Sequence, residues 1–313
     1  MRYAFRDMPM TFLYPLSKEN AMTAQDQTYV IFADSACDLE PAVLTSWEIP
    51  WCGLSCSSNG ILQTGFDGEA GIKSFFQRMR DGEVFKTSAV TIGEFSEGFS
   101  EVLAEGKDIL YLGFSSGLSA TVESATQAAD LLKEQYPDRR ILIVDTLCAS
   151  AGYGLILYLA CQKRDAGATI DEVRDYAEDI KLNITHLFTV DDLVYLRRGG
   201  RVSGASATIA TALNIKPVLH VDDEGKLVGI SKAHGRKKAL MAIATRYGNL
   251  AKHPSTGPVF ISHGDCIDDV NMLAAMLNEK YGVGVDLVSY VGPVIGAHSG
   301  PGTLALFFEG KQR

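Results

Sequence analysis

The sequence predicts an α/β protein of two domains. Three features carry that prediction: β-rich runs alternate with helical patterns from Tyr29 onward, the pattern changes after about Thr169, and 313 residues suffice for two cores. Residues 28–168 are expected to form an α/β domain with a mostly parallel sheet flanked by helices. Residues 169–313 are expected to form a second α/β domain, a mixed sheet with helices. Residues 1–27, Met1 to Gln27, read as an N-terminal extension, because they lack the continuous apolar centre and cleavage site of a signal peptide.

In the first domain three runs read as buried parallel strands: Tyr29 to Ala33, Asp108 to Gly113, and Ile141 to Asp145. Each ends in a polar turn followed by a helical pattern, the longest running from Ser119 to about Gln135. In the second, a helix from Ile170 to about Asn183 precedes a strand from Thr185 to Val190 and a polar, Arg- and Gly-rich turn-and-helix stretch. A hairpin follows, from Ile215 to Val221 and from Lys226 to Lys232, joined by Asp222-Asp223-Glu224-Gly225 with the residue types such a turn favours. Strands at Pro258 to Ser262 and Val285 to Val291 bracket a helix from Ile267 to about Tyr281, and Thr303 to Phe308 forms the last strand.

Composition narrows the function. The chain is 46% apolar and 21% charged with a net charge of −9 and a pI near 5.2, so its overall field attracts neither nucleic acid nor an anionic membrane surface. The longest apolar run, Ala151 to Cys161, falls short of the roughly 20 residues that span a bilayer, so no integral membrane segment is expected. The six cysteines lack the spacing of metal or redox sites and read as buried thiols of a cytoplasmic protein, and nothing calls for a cofactor or a metal.

Ligands of open parallel sheets sit beyond the carboxyl ends of the strands, which directs attention to the polar turns. Ser115-Ser116-Gly117-Leu118-Ser119 joins a buried strand to a helix, where unpaired N–H groups, the helix dipole and serine hydroxyls suit an anion; the same residues equally suit N-capping. The turn also satisfies Gly-x-Ser-x-Gly, as Gly113-Phe114-Ser115-Ser116-Gly117. A serine hydrolase with Ser115 as nucleophile, Asp145 and His263 or His298 is therefore the competing reading, although no His-Gly-Gly-Gly oxyanion segment precedes the turn. Thr87 and Ser88, within Lys86 to Thr91, place further hydroxyls beside a helix start, where Thr91 is a second candidate cap. His298 stands in a glycine-dense loop from Gly292 to Gly302, placed to contact a ligand. Arg197, Arg198 and Arg201 form the one dense basic cluster, read either as a solvated helix end paired with Asp191 or Asp192 or as a surface for an anionic partner.

Taken together, these segments resemble the DegV family. The matching stretches are Asp34 to Leu39, Thr87-Ser88, Ser115 to Thr121 with Ser124-Ala125, Asp145-Thr146 with Ser150 and Gly152, Asp192 to Val202, Asn214 to Pro217, and Gly292-Pro293 with His298 and Gly300-Pro301-Gly302. The resemblance implies a protein that is not itself an enzyme. It implies binding of a long-chain fatty acid in an apolar tunnel between the domains and presentation of the carboxylate to a separate fatty acid kinase, whose acyl phosphate product feeds phospholipid synthesis. Carried over residue by residue, Thr87, Ser88, Ser115, Ser116, Ser119 and His298 become ligand donors, and Ser115 loses its role as nucleophile. Arg201 becomes the contact to the kinase or the acyl phosphate. Two departures, Ala89-Val90 in place of Gln-Pro and Ala120 in place of Gly, are expected to reshape the tunnel wall.

Overall fold

The computed structural model describes residues 28–66, 68–202 and 214–313; the expected extension and the end of the polar stretch after Val190 lie outside them. The first sheet contains β1 (Tyr29–Asp34), β2 (Trp51–Cys52), β6 (Asp108–Gly113) and β7 (Ile141–Asp145), in the order β2-β1-β6-β7 with every pairing parallel. The sequence Tyr-Val-Ile-Phe-Ala-Asp of β1 is buried along almost its whole length, as a strand covered on both faces requires. Helices α1 (Pro41–Ser46), α2 (Gly68–Arg80), α3 (Ile92–Ala104), α4 (Thr121–Leu132) and α5 (Ser150–Asp165) complete this half. A small antiparallel sheet that the periodicity did not reveal, β3 (Ser55–Ser58), β4 (Ile61–Leu62) and β5 (Phe85–Ser88), carries Thr87 and Ser88. Its strands are too short for an alternating pattern to register.

The second half contains α6 (Ile170–Ile180), β8 (Ile184–Thr189), α7 (Val194–Arg198), β9 (Ile215–Val221), β10 (Leu227–His234), α8 (Arg236–Leu250), β11 (Val259–His263), α9 (Ile267–Tyr281), β12 (Leu287–Tyr290), α10 (Pro293–Ser299) and β13 (Leu304–Glu309). Its sheet runs β10-β9-β8-β13-β11-β12, antiparallel except for the parallel pair β11 and β12, so it is mixed as expected. The predicted hairpin is present: Gly225 takes φ +73° and the Asp222 carboxylate accepts from the Glu224 and Lys226 N–H groups. The Gly292 to Gly302 segment, expected as a loop, contains helix α10. Pro293 supplies its preset φ at the first turn and Gly300 ends it at φ +83°.

Helix α5 joins the halves. Nearly every residue from Ser150 to Cys161 is buried, and the helix packs on β1 of one sheet and on β8, β11 and β13 of the other. Gly152 makes this possible: a Cβ there would lie 2.4 Å from His186 Nε2 and 2.6 Å from the Phe307 ring. The carboxyl end of β1 is fixed by Asp34, whose fully buried carboxylate accepts from Tyr111 Oη at 2.7 Å, Phe114 N at 3.0 Å and Ala36 N at 3.0 Å. Burial pushes this carboxyl up, and the donors around it oppose that shift. Tyr153 of α5 closes the network by accepting from Asp34 N at 2.9 Å and donating to the Leu112 carbonyl. Asp34→Ala leaves those buried donors unpaired, and urea unfolding is expected to show a loss of roughly 3 kcal/mol; a loss below about 1 kcal/mol would contradict the structural weight given to this network.

Candidate functional site

A cavity of about 250 Å³ lies between the turns beyond the first sheet and residues of the second sheet, bordered by α10 and by the first residue of α5. Its wall is largely apolar, with Leu54, Phe114, Leu118, Phe188, Val294 and Phe307 among the lining residues. Of the residues singled out in the sequence, Thr87, Ser88, Ser119, His298 and Arg201 line this one cavity. They come from β5, the turn before α4, α10 and the segment after α7, so only the tertiary fold brings them together.

Thr87 and His298 are in direct contact, Oγ1 to Nε2 at 2.7 Å. The hydroxyl can donate or accept, so the contact leaves the imidazole tautomer open. His298 Nδ1 is buried without a hydrogen-bond partner among the described residues, against Gly199, where a Cβ would lie 2.1 Å from it. Burial, and secondarily the positive charge of Arg201, pushes the imidazole down to about 4, so near neutral pH the ring is uncharged. Ser119 Oγ meets Thr121 Oγ1 at 2.8 Å and accepts from Thr121 N at 3.3 Å, which makes it both a local brace of the helix start and a cavity hydroxyl. Arg201 is exposed; its guanidinium donates to the Gly199 and Leu118 carbonyls. The arrangement offers an oxygen anion three hydroxyls, one neutral imidazole and one nearby guanidinium.

Ser115 and Ser116, expected beside the others, do not line the cavity. Ser115 is fully buried; its hydroxyl donates to the Gly225 carbonyl at 2.8 Å and accepts from Gly117 N at 3.2 Å, which docks the hairpin turn onto the Ser115 turn. Ser116 is exposed, and its N–H donates to Asp145 Oδ1 at 3.2 Å. This geometry also removes the triad drawn on the sequence. Ser115 Oγ is directed at a backbone carbonyl, Asp145 accepts from Ser116 N and Leu147 N, His263 accepts from Cys266 N, and His298 pairs with Thr87. Thr91 proves to be a cap, with the reciprocal Glu94 contacts of a capping box. Asp191, offered as a partner for Arg197 or Arg198, pairs with Lys216 at 2.8 Å, and Arg198 stacks over Tyr195. Of the departures, Ala89 and Ala120 line the cavity, whereas Val90 is buried in a neighbouring aromatic core.

A second polar group stands at the wall: Asp38 and Ser150 belong to polar turns after strands, to which the sequence directs attention, whereas nothing in the sequence marks Ser262. Ser150 and Ser262 line the cavity and share a hydrogen bond at 2.8 Å; Ser150 Oγ also donates to Asp38 Oδ2. Asp38 is buried at φ +52°, its carboxyl pushed up to about 7 by burial, and its Oδ1 faces Gly292 without a well-formed hydrogen bond. His186 also lines the wall in the neutral state, with Nδ1 donating to the Ile184 carbonyl and Nε2 accepting from Ala149 N, and burial pushes it down to about 3. Strand β8 is buried on both faces, so no alternation marks His186 as inward-facing. Among the described residues no cluster of His, Cys, Asp and Glu is arranged to hold a metal, and no helix is long and apolar enough to cross a membrane. The six cysteines carry no disulfide, and five are buried.

Fold and site together define a two-domain α/β protein with a largely apolar cavity whose wall carries hydroxyls, imidazoles and a guanidinium. The chain belongs to the DegV family: the family model, described as an uncharacterised protein of that family, matches residues 28–311. It is similar to a DegV domain-containing protein of Clostridium perfringens, 43% identical over 91% of this chain and 98% of the relative. A DegV domain-containing protein of Streptococcus pyogenes is 36% identical over 91% of this chain and 99% of the relative. Among solved structures it resembles a DegV lipid binding protein of Thermotoga maritima, with 29% identity, a TM-score of 0.81, and 92% and 100% of the two chains covered. It also resembles a fatty acid binding DegV family protein of Thermus thermophilus, with 28% identity, a TM-score of 0.81, and 91% and 100% covered.

The buried ring at the mouth gives a direct test. The His298 imidazole is expected to titrate by NMR with a midpoint near 4 and to rise in Arg201→Ala, because removing a positive charge favours the protonated ring. A midpoint at the ordinary 6.5 would show that the ring is solvated rather than held in the cavity wall.

Proposed function

We propose that this protein binds a long-chain fatty acid, with the acyl chain in the cavity and the carboxylate at the mouth formed by Thr87, Ser88, Ser119 and His298. The observation that carries the reading is the coincidence, in one cavity, of an apolar wall with the Thr87–His298 pair at its edge. The relatives described as lipid or fatty acid binding support it. Each methylene moved from water into the cavity contributes about 0.8 kcal/mol, so a long chain supplies the affinity. The hydroxyls and the imidazole replace the hydration that the carboxylate loses.

The protein acts in the cytoplasm as a carrier, with no reaction of its own, and presents the carboxylate to a separate fatty acid kinase. Arg201 supports this part of the reading: it is exposed, positively charged and next to the mouth, where it meets the kinase or the acyl phosphate. Ser115 and Ser116 take no part in holding the ligand in this reading; Ser115 latches the hairpin turn.

Equilibrium titration with a long-chain fatty acid tests the carboxylate site. Thr87→Val and His298→Ala are each expected to weaken binding by about tenfold to a hundredfold, the range for losing a hydrogen bond to a charged group. Unchanged affinity in both variants, or no binding to the wild type, would refute the assignment. Arg201→Ala is expected to slow phosphorylation of the bound acid by the partner kinase; equal rates would remove Arg201 from that role.

A further inference from the structure

The second polar group on the cavity wall has no part in holding a carboxylate at the mouth. Ser150 begins α5, Ser262 belongs to β11, and Asp38 follows the first strand, so the fold assembles them from three elements far apart in sequence. All three are buried, and Asp38 and Ser150 both hold left-handed backbone, at φ +52° and +54°, which residues with a Cβ adopt at a cost in energy. Ser262 is fully buried and belongs to the cavity lining, and among the described residues its hydroxyl has Ser150 as its hydrogen-bond partner. Ser299, also on the lining and buried, has a hydroxyl with no hydrogen-bond partner among the described residues. A saturated acyl chain passing this wall leaves that capacity unused, which is unfavourable for buried polar groups.

We propose that the Asp38–Ser150–Ser262 chain, with Ser299 on the same lining, is a polar subsite inside the acyl cavity that selects fatty acids carrying one internal hydroxyl group. Ser150 gives its proton to Asp38, so Ser262 gives its own to Ser150 and is left with lone pairs; a ligand hydroxyl can donate to them, whereas a ketone, which only accepts, and a double bond cannot. The inference rests on the fatty-acid reading above and adds to it the chemical class of the chain.

Equilibrium titration of the full-length protein with stearic acid and with monohydroxystearic acids that differ in the position of the hydroxyl tests it. One or two adjacent positions are expected to bind about tenfold more tightly than stearic acid, as one buried hydrogen bond allows. The other positions bind more weakly than stearic acid, because they bring the hydroxyl against apolar wall such as Phe188 and Phe307. In Ser262→Ala the affinity ratio of the best hydroxy acid to stearic acid falls to about one, as expected when the hydrogen-bond partner is gone. Ser262→Cys, whose sulfur is a weak hydrogen-bond partner of similar size, lowers the same ratio and serves where Ser262→Ala fails to fold. Stearic acid outbinding every hydroxy isomer, or a preference that survives both substitutions, overturns the proposal. Binding of neither acid by the folded protein removes the fatty-acid reading itself and this inference with it.

Discussion

The close approach of helix α5 to the second sheet sets the rest of the molecule. Gly152 lets the helix backbone reach the His186 and Phe307 rings, and a methyl group at that position would push the helix off the sheet. Because α5 also packs on β1, it ties the two sheets together, and its first residue reaches the cavity lining. The same helix start places Ala149 and Ser150 on the lining and holds His186 in one tautomer through Ala149 N. A helix buried on every side cannot shift without exposing apolar surface, so a cavity built on it has a defined shape.

The mouth handles charge differently from an ion pair. An anion facing a buried lysine or arginine would be held by a strong, fixed attraction, and withdrawing it would strand a buried charge. Here the groups in direct reach are hydroxyls and an imidazole kept neutral by burial, and the guanidinium of Arg201 stands exposed, screened by solvent. Affinity in the proposed function comes mainly from the acyl chain, and the carboxylate stays accessible to a partner.

Much of this was legible in the sequence. Buried β1 and β6 read as continuous apolar runs, and the Asp222-Asp223-Glu224-Gly225 turn announced the β9–β10 hairpin; a polar turn after a strand named Ser119, hydroxyls beside a helix start named Thr87, the glycine-dense loop named His298 and the basic cluster named Arg201. The exceptions have physical causes. Ser115 lies in the same turn as Ser119, but only the folded hairpin, which brings the Gly225 carbonyl to its hydroxyl, decides that it faces away from the cavity. Helix α10 was hidden by its glycines, which Gly296 shows are there for contact: a Cβ on it would crowd the Phe75 ring at 2.8 Å. Asp38 and Ser150 stood in polar turns at strand ends, but the contacts that join them to each other and to Ser262, each across 112 positions, are beyond any local pattern.

Native mass spectrometry of the protein as isolated, followed by organic extraction and identification of what is released, tests most directly whether the cavity is an acyl site. One long-chain fatty acid per chain, displaced by added fatty acid, is the predicted result. A protein that carries no acid and takes up none when it is offered would contradict it.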